Sequence, residues 1–155
     1  IINFDGGNDY ATSTIPALSS FTFNAWVRLD TTAGERRAFT AFNDRFGIAA
    51  TNVKIFIWNG GPGVIESAST VATNTWYNIA VTSQSGATRM TINNSLEATS
   101  TLYQSITSGA SVIGAFTSFD RRWDGDIAVV SFYNRVLTTA EITQNYNAEK
   151  ARFGY

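Results

Sequence analysis

The chain has 155 residues and a net charge of -1, with 11 Lys or Arg and 12 Asp or Glu, and it contains neither Cys nor His. This length suits one domain with its own core, and a balanced charge lacks the long-range field that draws proteins to nucleic acid or anionic lipid. The missing Cys and His exclude disulfides, thiolate nucleophiles, Ser-His-Asp triads and imidazole metal sites. We therefore predict a single domain, residues 1–155, with no nucleic-acid partner.

Short runs rich in Phe, Trp, Val, Ile and Thr alternate with clusters of Gly, Asn, Asp and Ser. This pattern is typical of a sandwich of antiparallel strands. The predicted strands lie near residues 1–4, 8–12, 21–30, 38–43, 46–50, 53–58, 64–70, 76–84, 88–93, 96–102, 111–115 and 126–134. The chain starts directly on a strand-like Ile1-Ile2, so we expect the domain to be part of a larger polypeptide. No apolar run approaches the length of a membrane span, and we predict no membrane insertion.

Alternation within the strands predicts which side chains face the core. Along residues 21–29 the odd positions are apolar, whereas the even positions include Asn24, Trp26 and Arg28. The predicted core residues are Phe21, Phe23, Val27, Leu29, Ile79, Val81, Ile127 and Val129. Period-two spacing places all of them between two sheets.

The end of the chain predicts a turn, a long strand and a capped helix. Asp124-Gly125 indicates the turn and residues 126–134 the strand. Thr138 and Glu141 have the spacing of a capping box, with Leu137 and Ile142 at the positions of a hydrophobic staple. We expect a short helix that starts near Thr138 and packs against an apolar surface.

Several blocks of sequence resemble a known family. They are FDGGNDY (4–10), FTFNAWVRLD (21–30), NTWYNIAVTSQSG (74–86), SVIGAF (111–116) and IAVVSFYNRVLTTAEI (127–142). In this order they resemble laminin-G-like domains of the concanavalin A-like lectin/glucanase superfamily. The resemblance implies an all-β, antiparallel two-sheet jelly-roll sandwich with one short C-terminal helix. The ending EITQNYNAEKARFGY (141–155) is similar to the close of such domains in bacteriophage virion proteins.

Two turns rich in oxygen ligands predict a calcium site. One contains Asp5, Asn8 and Asp9, and the other contains Asp124 and Asp126. A sandwich of this type brings the two chain ends side by side, and Ca²⁺ takes about 6 to 8 oxygen ligands. Laminin-G-like relatives often hold calcium. The alternative is that Asp-Gly pairs simply form turns.

A second acidic set lies in predicted loops, where sandwich domains carry binding sites. It consists of Asp44 and Asp120, with Arg45, Arg121 and Arg122 beside them. The alternative is that these charges only keep the loops solvated.

Aromatic side chains are abundant and include four Trp. A sugar can stack its apolar face on an exposed ring while amides and carboxylates bind its hydroxyls. The rings considered are Trp26, Trp58, Trp76, Tyr103, Phe119 and Trp123. Trp58 is favoured because a Gly-rich loop beginning at Asn59 follows it, and Trp123 because Arg122 and Asp124 flank it. Core packing is the alternative for each ring.

The glucanase strand signature Glu-x-Asp-x-x-Glu is absent from the sequence, so we expect no enzyme activity. The predicted function is recognition of carbohydrate or another cell-surface structure, outside the cell or on a virion surface. The predicted ligand-binding residues are Asp44, Trp58, Asn59, Asp120, Arg122 and Trp123. The alternative function is a structural module of a phage virion, in its tail or associated with its capsid, that binds neighbouring virion proteins or its own copies as a homo-oligomer.

Overall fold

The computed structural model describes residues 1–41, 46–51, 53–58, 64–103 and 105–155. These residues form twelve strands, followed by an α-helix and a 3₁₀ helix. The strands are β1 (Ile2–Asp5), β2 (Ala11–Ile15), β3 (Phe21–Leu29), β4 (Arg36–Thr40), β5 (Gly47–Thr51), β6 (Lys54–Trp58), β7 (Val64–Glu66), β8 (Trp76–Gln84), β9 (Ala87–Ile92), β10 (Ser95–Ser100), β11 (Gly109–Ile113) and β12 (Asp124–Tyr133). The helix α1 spans Thr139–Glu149 and the 3₁₀ helix spans Lys150–Phe153. The predicted all-β class is confirmed.

The strands form two antiparallel sheets of six strands each. The first sheet has the order β1-β12-β3-β8-β9-β10, and the second has the order β2-β11-β4-β5-β6-β7. Strand β1 pairs with β12, from Ile2 opposite Ile127 to Asp5 opposite Asp124. The two ends of the chain therefore lie side by side, as the sequence predicted.

One hydrophobic core fills the space between the sheets. Its centre is a cluster of phenylalanine rings from both sheets and the loop before β5, with ring centroids 4.9 to 6.4 Å apart. The rings are those of Phe21, Phe23, Phe39, Phe46 and Phe132. The core also contains every other residue predicted for it except Val129.

Val129 was wrongly predicted to face the core. The pairing of β12 with β3 shifts register between Ala128 and Ser131, and Val129 has a positive φ of 52°. Such a bulge adds one residue to a strand and reverses the faces of the residues beyond it. Ala128 and Val129 therefore both pack on the outer side of the first sheet, while Val130 turns back to the core.

Asp124-Gly125 was wrongly predicted to be a turn. Both residues belong to β12, and Gly125 lies opposite both Phe4 of β1 and Leu29 of β3. A Cβ atom on Gly125 would lie 2.1 Å from the carbonyl oxygen of Arg28. The glycine is needed because the backbones approach too closely for any side chain.

The helix begins with the predicted capping box. The Thr138 hydroxyl accepts a hydrogen bond from the Glu141 amide at 3.3 Å, and the Glu141 carboxylate accepts one from the Thr138 amide at 2.8 Å. Leu137 and Ile142 pack together with Ala80 on the outer side of the first sheet. The helix is thus fixed to the sheet at its first turn.

The C-terminal segment covers Trp26, which lies on that same outer side. The indole ring stacks on Phe153 with centroids 4.3 Å apart and on Tyr146 at 5.7 Å. Its Nε1 donates a hydrogen bond to Glu149 at 2.8 Å. Trp76 also contacts Phe153. These two tryptophans therefore hold the C-terminal segment on the sheet, and Trp26, which is fully buried, cannot stack on a ligand.

Replacing Thr138 by Ala removes the hydroxyl that caps the helix. We expect the free energy of unfolding to fall by about 1 kcal/mol, the usual value for an N-cap hydroxyl. Chemical denaturation measures this change. The control is Thr139→Ala, because Thr139 is exposed and lies one position inside the helix. Equal effects of the two substitutions would contradict the assignment of the cap.

The lowered pKa of Glu141 predicts that the stability of the domain depends on pH. Hydrogen bonds from Arg135, and then from Thr138, lower its pKa from 4.5 to about 2. Because the folded-state pKa is the lower one, its stabilisation is complete above the unfolded pKa of 4.5 and disappears as the pH falls through 2. We expect the melting temperature of the wild type to exceed that of Glu141→Gln at neutral pH. The two melting temperatures should converge near pH 2. A difference in melting temperature that does not change with pH would contradict this account.

Candidate functional site

The structure places the residues predicted to bind ligand in different surroundings. Asp44 and Asn59 lie outside the described residues. Trp58 is half-buried at the end of β6, on the outer side of the second sheet. Asp120 and Arg122 lie in the loop that joins β11 to β12. We call residues 114–123 the β11–β12 loop.

The prediction that Trp123 is a surface ring was wrong. Its side chain is 0% exposed and belongs to the core between the sheets. The indole Nε1 donates a hydrogen bond to the carbonyl of Arg28 at 3.2 Å. The charged neighbours Arg122 and Asp124 suggested exposure, but they flank a position where the loop turns inward to enter β12. A buried indole cannot stack on a sugar.

Phe119, at the tip of the β11–β12 loop, is one of the rings that the sequence identified, and it is exposed. Phe119 and Arg121 both have positive φ, at 60° and 47°. Positive φ is costly for a residue with a side chain and persists only where surrounding contacts enforce it. Here Phe119 and Phe116 are joined by a backbone hydrogen bond of 2.9 Å, and a bond of 3.0 Å joins Phe116 to Asp120.

Arg122 fixes this loop to the turn that precedes β2. Its Nε donates a hydrogen bond to the carbonyl of Phe119 at 2.6 Å, and its Nη1 donates to the carbonyl of Gly7. The carbonyl of Arg122 itself accepts a hydrogen bond from Arg36 at 3.3 Å. The guanidinium was predicted to bind ligand, but in the structure it joins two loops.

Tyr10 is brought against Phe119 by this connection. The two ring centroids lie 4.4 Å apart, while Tyr10 remains 47% exposed and Phe119 40% exposed. Sequence reasoning missed Tyr10, which appeared only as the last residue of the block FDGGNDY. The available signal was an aromatic residue beside Asp9 in a polar turn. We call Tyr10 and Phe119 the surface aromatic pair.

Below the pair, charged and aromatic side chains support the β11–β12 loop. The guanidinium carbons of Arg37 and Arg121 lie 5.1 and 4.6 Å from the ring centroid of Phe116. One carboxylate oxygen of Glu35 accepts a hydrogen bond from Nε of Arg37 at 2.6 Å, and the other lies 3.6 Å from Nε of Arg121. Arg37 is buried, so cation–π and ionic contacts there are stronger than at the surface. The loop is therefore held firmly on the second sheet.

The residues predicted to bind calcium lie at the paired chain ends, and side-chain oxygens of Asp5, Asp9 and Asp126 are used by the protein. Asp126 accepts hydrogen bonds from Arg28 at 2.8 Å and from Asn3 at 2.9 Å. Asp5 accepts from the Gly7 amide at 2.7 Å, and Asp9 accepts from the Asp5 amide at 3.3 Å.

Among the described residues, no three side chains of the His, Cys, Asp and Glu types lie together as a metal site would need. These carboxylates close a turn and pair with an arginine, so the arrangement does not fit an oxygen-rich calcium cage. Calcium binding through Asp5, Asn8, Asp9, Asp124 and Asp126 stays a prediction.

The arrangement of the surface aromatic pair suits binding. Two adjacent rings at the rim of a sandwich offer apolar faces, with the carboxylates of Asp9 and Asp120 next to them in the chain. Loops at the end of a rigid sandwich are where such domains carry their ligand sites. The fold and this surface define a β-sandwich binding module.

The comparison with family models identifies the module more closely. Residues 5–143 match the Laminin G 3 model, described as concanavalin A-like lectin/glucanases superfamily, and the chain belongs to this family. The comparison with curated proteins found no match. Within the part of the chain that the structure describes, no helix has the length and apolar character that a membrane span requires.

Solved structures with the same fold include a pentraxin, a candidate carbohydrate binding protein and a toxin binding domain. The native heptameric SAP-like pentraxin of Limulus polyphemus has a TM-score of 0.73 at 17% identity, over 91% of this chain and 78% of its own. A candidate carbohydrate binding protein of Bacteroides ovatus has a TM-score of 0.76 at 17% identity, over 92% of this chain and 45% of its own. The binding domain of botulinum neurotoxin serotype G has a TM-score of 0.75 at 16% identity, over 96% of this chain and 42% of its own. At these identities the likeness establishes the fold alone, and this chain spans less than half of the second and third proteins.

Removal of calcium tests the predicted metal site. Because Asp126 is paired with Arg28, we expect equal melting temperatures in EDTA and in millimolar calcium. Differential scanning calorimetry measures both. The control is Asp126→Asn, which should behave identically in the two buffers. A rise in melting temperature with calcium that Asp126→Asn abolishes would restore the calcium site.

Proposed function

We propose that this domain is a non-catalytic carbohydrate-recognition module that binds saccharide through the surface aromatic pair. The observation that carries the proposal is the exposure of two adjacent rings, Tyr10 and Phe119, in loops held by Arg122. Packing of the core does not require these rings. The positive φ of Phe119 adds a conformational cost, and strained residues of this kind concentrate at binding sites.

The chemistry of the pair fits a sugar ring. An exposed aromatic face binds the apolar C–H face of a saccharide, while neighbouring polar groups bind its hydroxyls. The hydroxyls of Tyr10 and Ser118 and the carboxylates of Asp9 and Asp120 are the polar groups nearest in the chain. Support for the loops from Arg37, Arg121 and Phe116 keeps the rings in place before ligand arrives. Because the side chains and loops then lose less conformational entropy on binding, the affinity is higher for the same contacts.

The family supports recognition as the general function. Its superfamily includes lectins, and the similar structures include a candidate carbohydrate binding protein and a toxin binding domain. The superfamily also includes glucanases, but their paired-carboxylate signature is absent from this sequence. We place the domain outside the cell or on a virion surface, in line with the resemblance of residues 141–155 to phage virion proteins.

A structural role in a phage virion is the second candidate. The observation that favours it is the exposure of Ile2, at 53%, on the edge strand β1. An apolar edge strand is a surface on which another chain can pair. Either a second copy or a different virion protein fits this surface. Binding of saccharide at the surface aromatic pair would not conflict with such assembly.

A glycan array followed by titration tests the primary proposal. We expect Tyr10→Ala and Phe119→Ala each to weaken binding of a glycan hit about 5-fold, since an aromatic contact contributes about 1 kcal/mol. Melting temperatures should change little, because both rings are exposed. The control is Val53→Ala, which removes an exposed apolar side chain between β5 and β6, away from the surface aromatic pair.

Trp58→Ala locates the site within the domain. If this substitution abolishes binding and the two aromatic substitutions do not, then the saccharide binds at the end of β6 instead. If no glycan binds and light scattering shows an oligomer that Ile2→Asp dissociates, then the assembly function replaces recognition.

A further inference from the structure

A cavity of about 290 Å³ lies on the outer side of the first sheet, beside the N-terminal turn of α1. The helix and the residues after it cover Trp26 and Ala80, on β3 and β8, and leave the outer face of β9 and β10 open. The floor and far wall of the cavity come from β8, β9 and β10, and the near wall comes from residues 136–139 and Ile142. This cavity is separate from the surface aromatic pair.

The local sequence explains why space remains there. On β9, Met90 and Ile92 face the core, so Arg89 and Thr91 face outward. Thr91 lies opposite Ala80, and Arg89 lies opposite Thr82. The outward residues of β8 are thus too small to fill the space beside the helix.

The cavity lining combines hydroxyl groups, one amide and one exposed apolar side chain. The hydroxyls belong to Thr82, Thr91, Thr138 and Thr139. That of Thr138 also caps the helix, and that of Thr91 also donates to the carbonyl of Ala80 at 3.5 Å. Asn94 accepts a hydrogen bond from Thr143 at 2.8 Å through its Oδ1, which leaves its amide nitrogen available as a donor. Leu96 is 50% exposed at the wall. Such a lining suits a ligand with many hydroxyls and one apolar face.

Arg89 is the one charged residue of this lining. In the described part of the chain, Arg28, Arg37, Arg121 and Arg135 form ion pairs, and no carboxylate pairs with Arg89. The carboxylates of the adjoining elements are engaged elsewhere: Glu141 binds Arg135, and Glu97 accepts from Ser69. Arg89 therefore presents an uncompensated positive charge to the cavity.

A second, more open groove meets the first at Arg89. It is lined by residues 86–89 and 99–101, which include the hydroxyls of Thr99, Ser100 and Thr101. A hydroxyl-lined surface thus continues on both sides of the guanidinium. This continuity fits an oligosaccharide better than a single small anion.

We propose that this groove binds a carboxylated saccharide, with the carboxylate on Arg89 and the sugar hydroxyls on the threonines and Asn94. Guanidinium binds carboxylate through two parallel hydrogen bonds, which fixes the orientation of the sugar as well as adding affinity. A nucleic acid is disfavoured because one arginine in a chain of net charge -1 gives no extended positive surface. The proposal goes beyond the function proposed above and does not depend on the surface aromatic pair.

Isothermal titration with carboxylated oligosaccharides tests the proposal. The probes are oligogalacturonides, hyaluronan oligosaccharides and sialyllactose, each compared with a neutral counterpart (the methyl ester for the first two, lactose for the third). We expect at least one acidic probe to bind and its neutral counterpart to bind about 10-fold more weakly. Arg89→Gln should reduce affinity for the acidic probe by about 10-fold, as expected for loss of a charge-assisted hydrogen bond.

The matched control is Arg152→Gln, which removes an equal charge from an exposed position outside both grooves. Thr91→Phe fills the cavity and should also abolish binding while a melting curve reports that the domain is folded. The double variant Tyr10→Ala/Phe119→Ala should retain binding of the acidic probe. Retained binding there separates this groove from the surface aromatic pair.

Four results would overturn the proposal. They are the absence of binding by every acidic probe at millimolar concentration, equal binding of acidic and neutral partners, unchanged affinity in Arg89→Gln, and equal affinity for acetate or sulfate alone. Loss of binding in the aromatic double variant with unchanged affinity in Arg89→Gln would support the surface aromatic pair and reject this groove.

Discussion

Strand β12 joins the parts of this domain on which both proposed sites depend. Its first half pairs with β1 and β3, which brings the two chain ends together. Its bulge then sends Ala128 and Val129 outward under the C-terminal segment, while Phe132 enters the core between the sheets. One strand therefore contributes to two separate apolar layers. A regular strand could not do this, since strict alternation would leave Val129 in the core and no apolar outer surface at that position.

The start of β12 also positions the surface aromatic pair. Trp123 is buried and fixes the end of the β11–β12 loop in the core, while Arg122 joins the loop to the turn before β2. Phe119 is therefore held at the surface by the buried Trp123 and by the contact of Arg122 with the turn before β2. The most buried aromatic residue of this segment thus supports the most exposed one, and the strain at Phe119 is maintained by contacts made elsewhere in the loop.

The sequence predicted the elements better than the side-chain environments. The capping box at Thr138 depends on a spacing of three residues, and the positions of the strands depend on composition, so both could be predicted locally. Val129, Gly125 and Trp123 were predicted wrongly for one shared reason: their environments depend on the register of β12 with its neighbours, which lie far away in the chain. Tyr10 was missed because its contact with Phe119 joins residues from opposite ends of the sequence.

The near-neutral charge limits how this domain can recognise a ligand. With a net charge of -1 there is no long-range attraction, so affinity must come from short-range contacts in prearranged sites. The two surfaces supply different short-range chemistry, aromatic stacking in one and a single guanidinium among hydroxyls in the other. They also differ in support: long-range loop contacts hold the aromatic pair, whereas the Arg89 groove is formed by paired strands and a capped helix. Because the two surfaces share no lining residue, each site can be altered by substitution without disturbing the other.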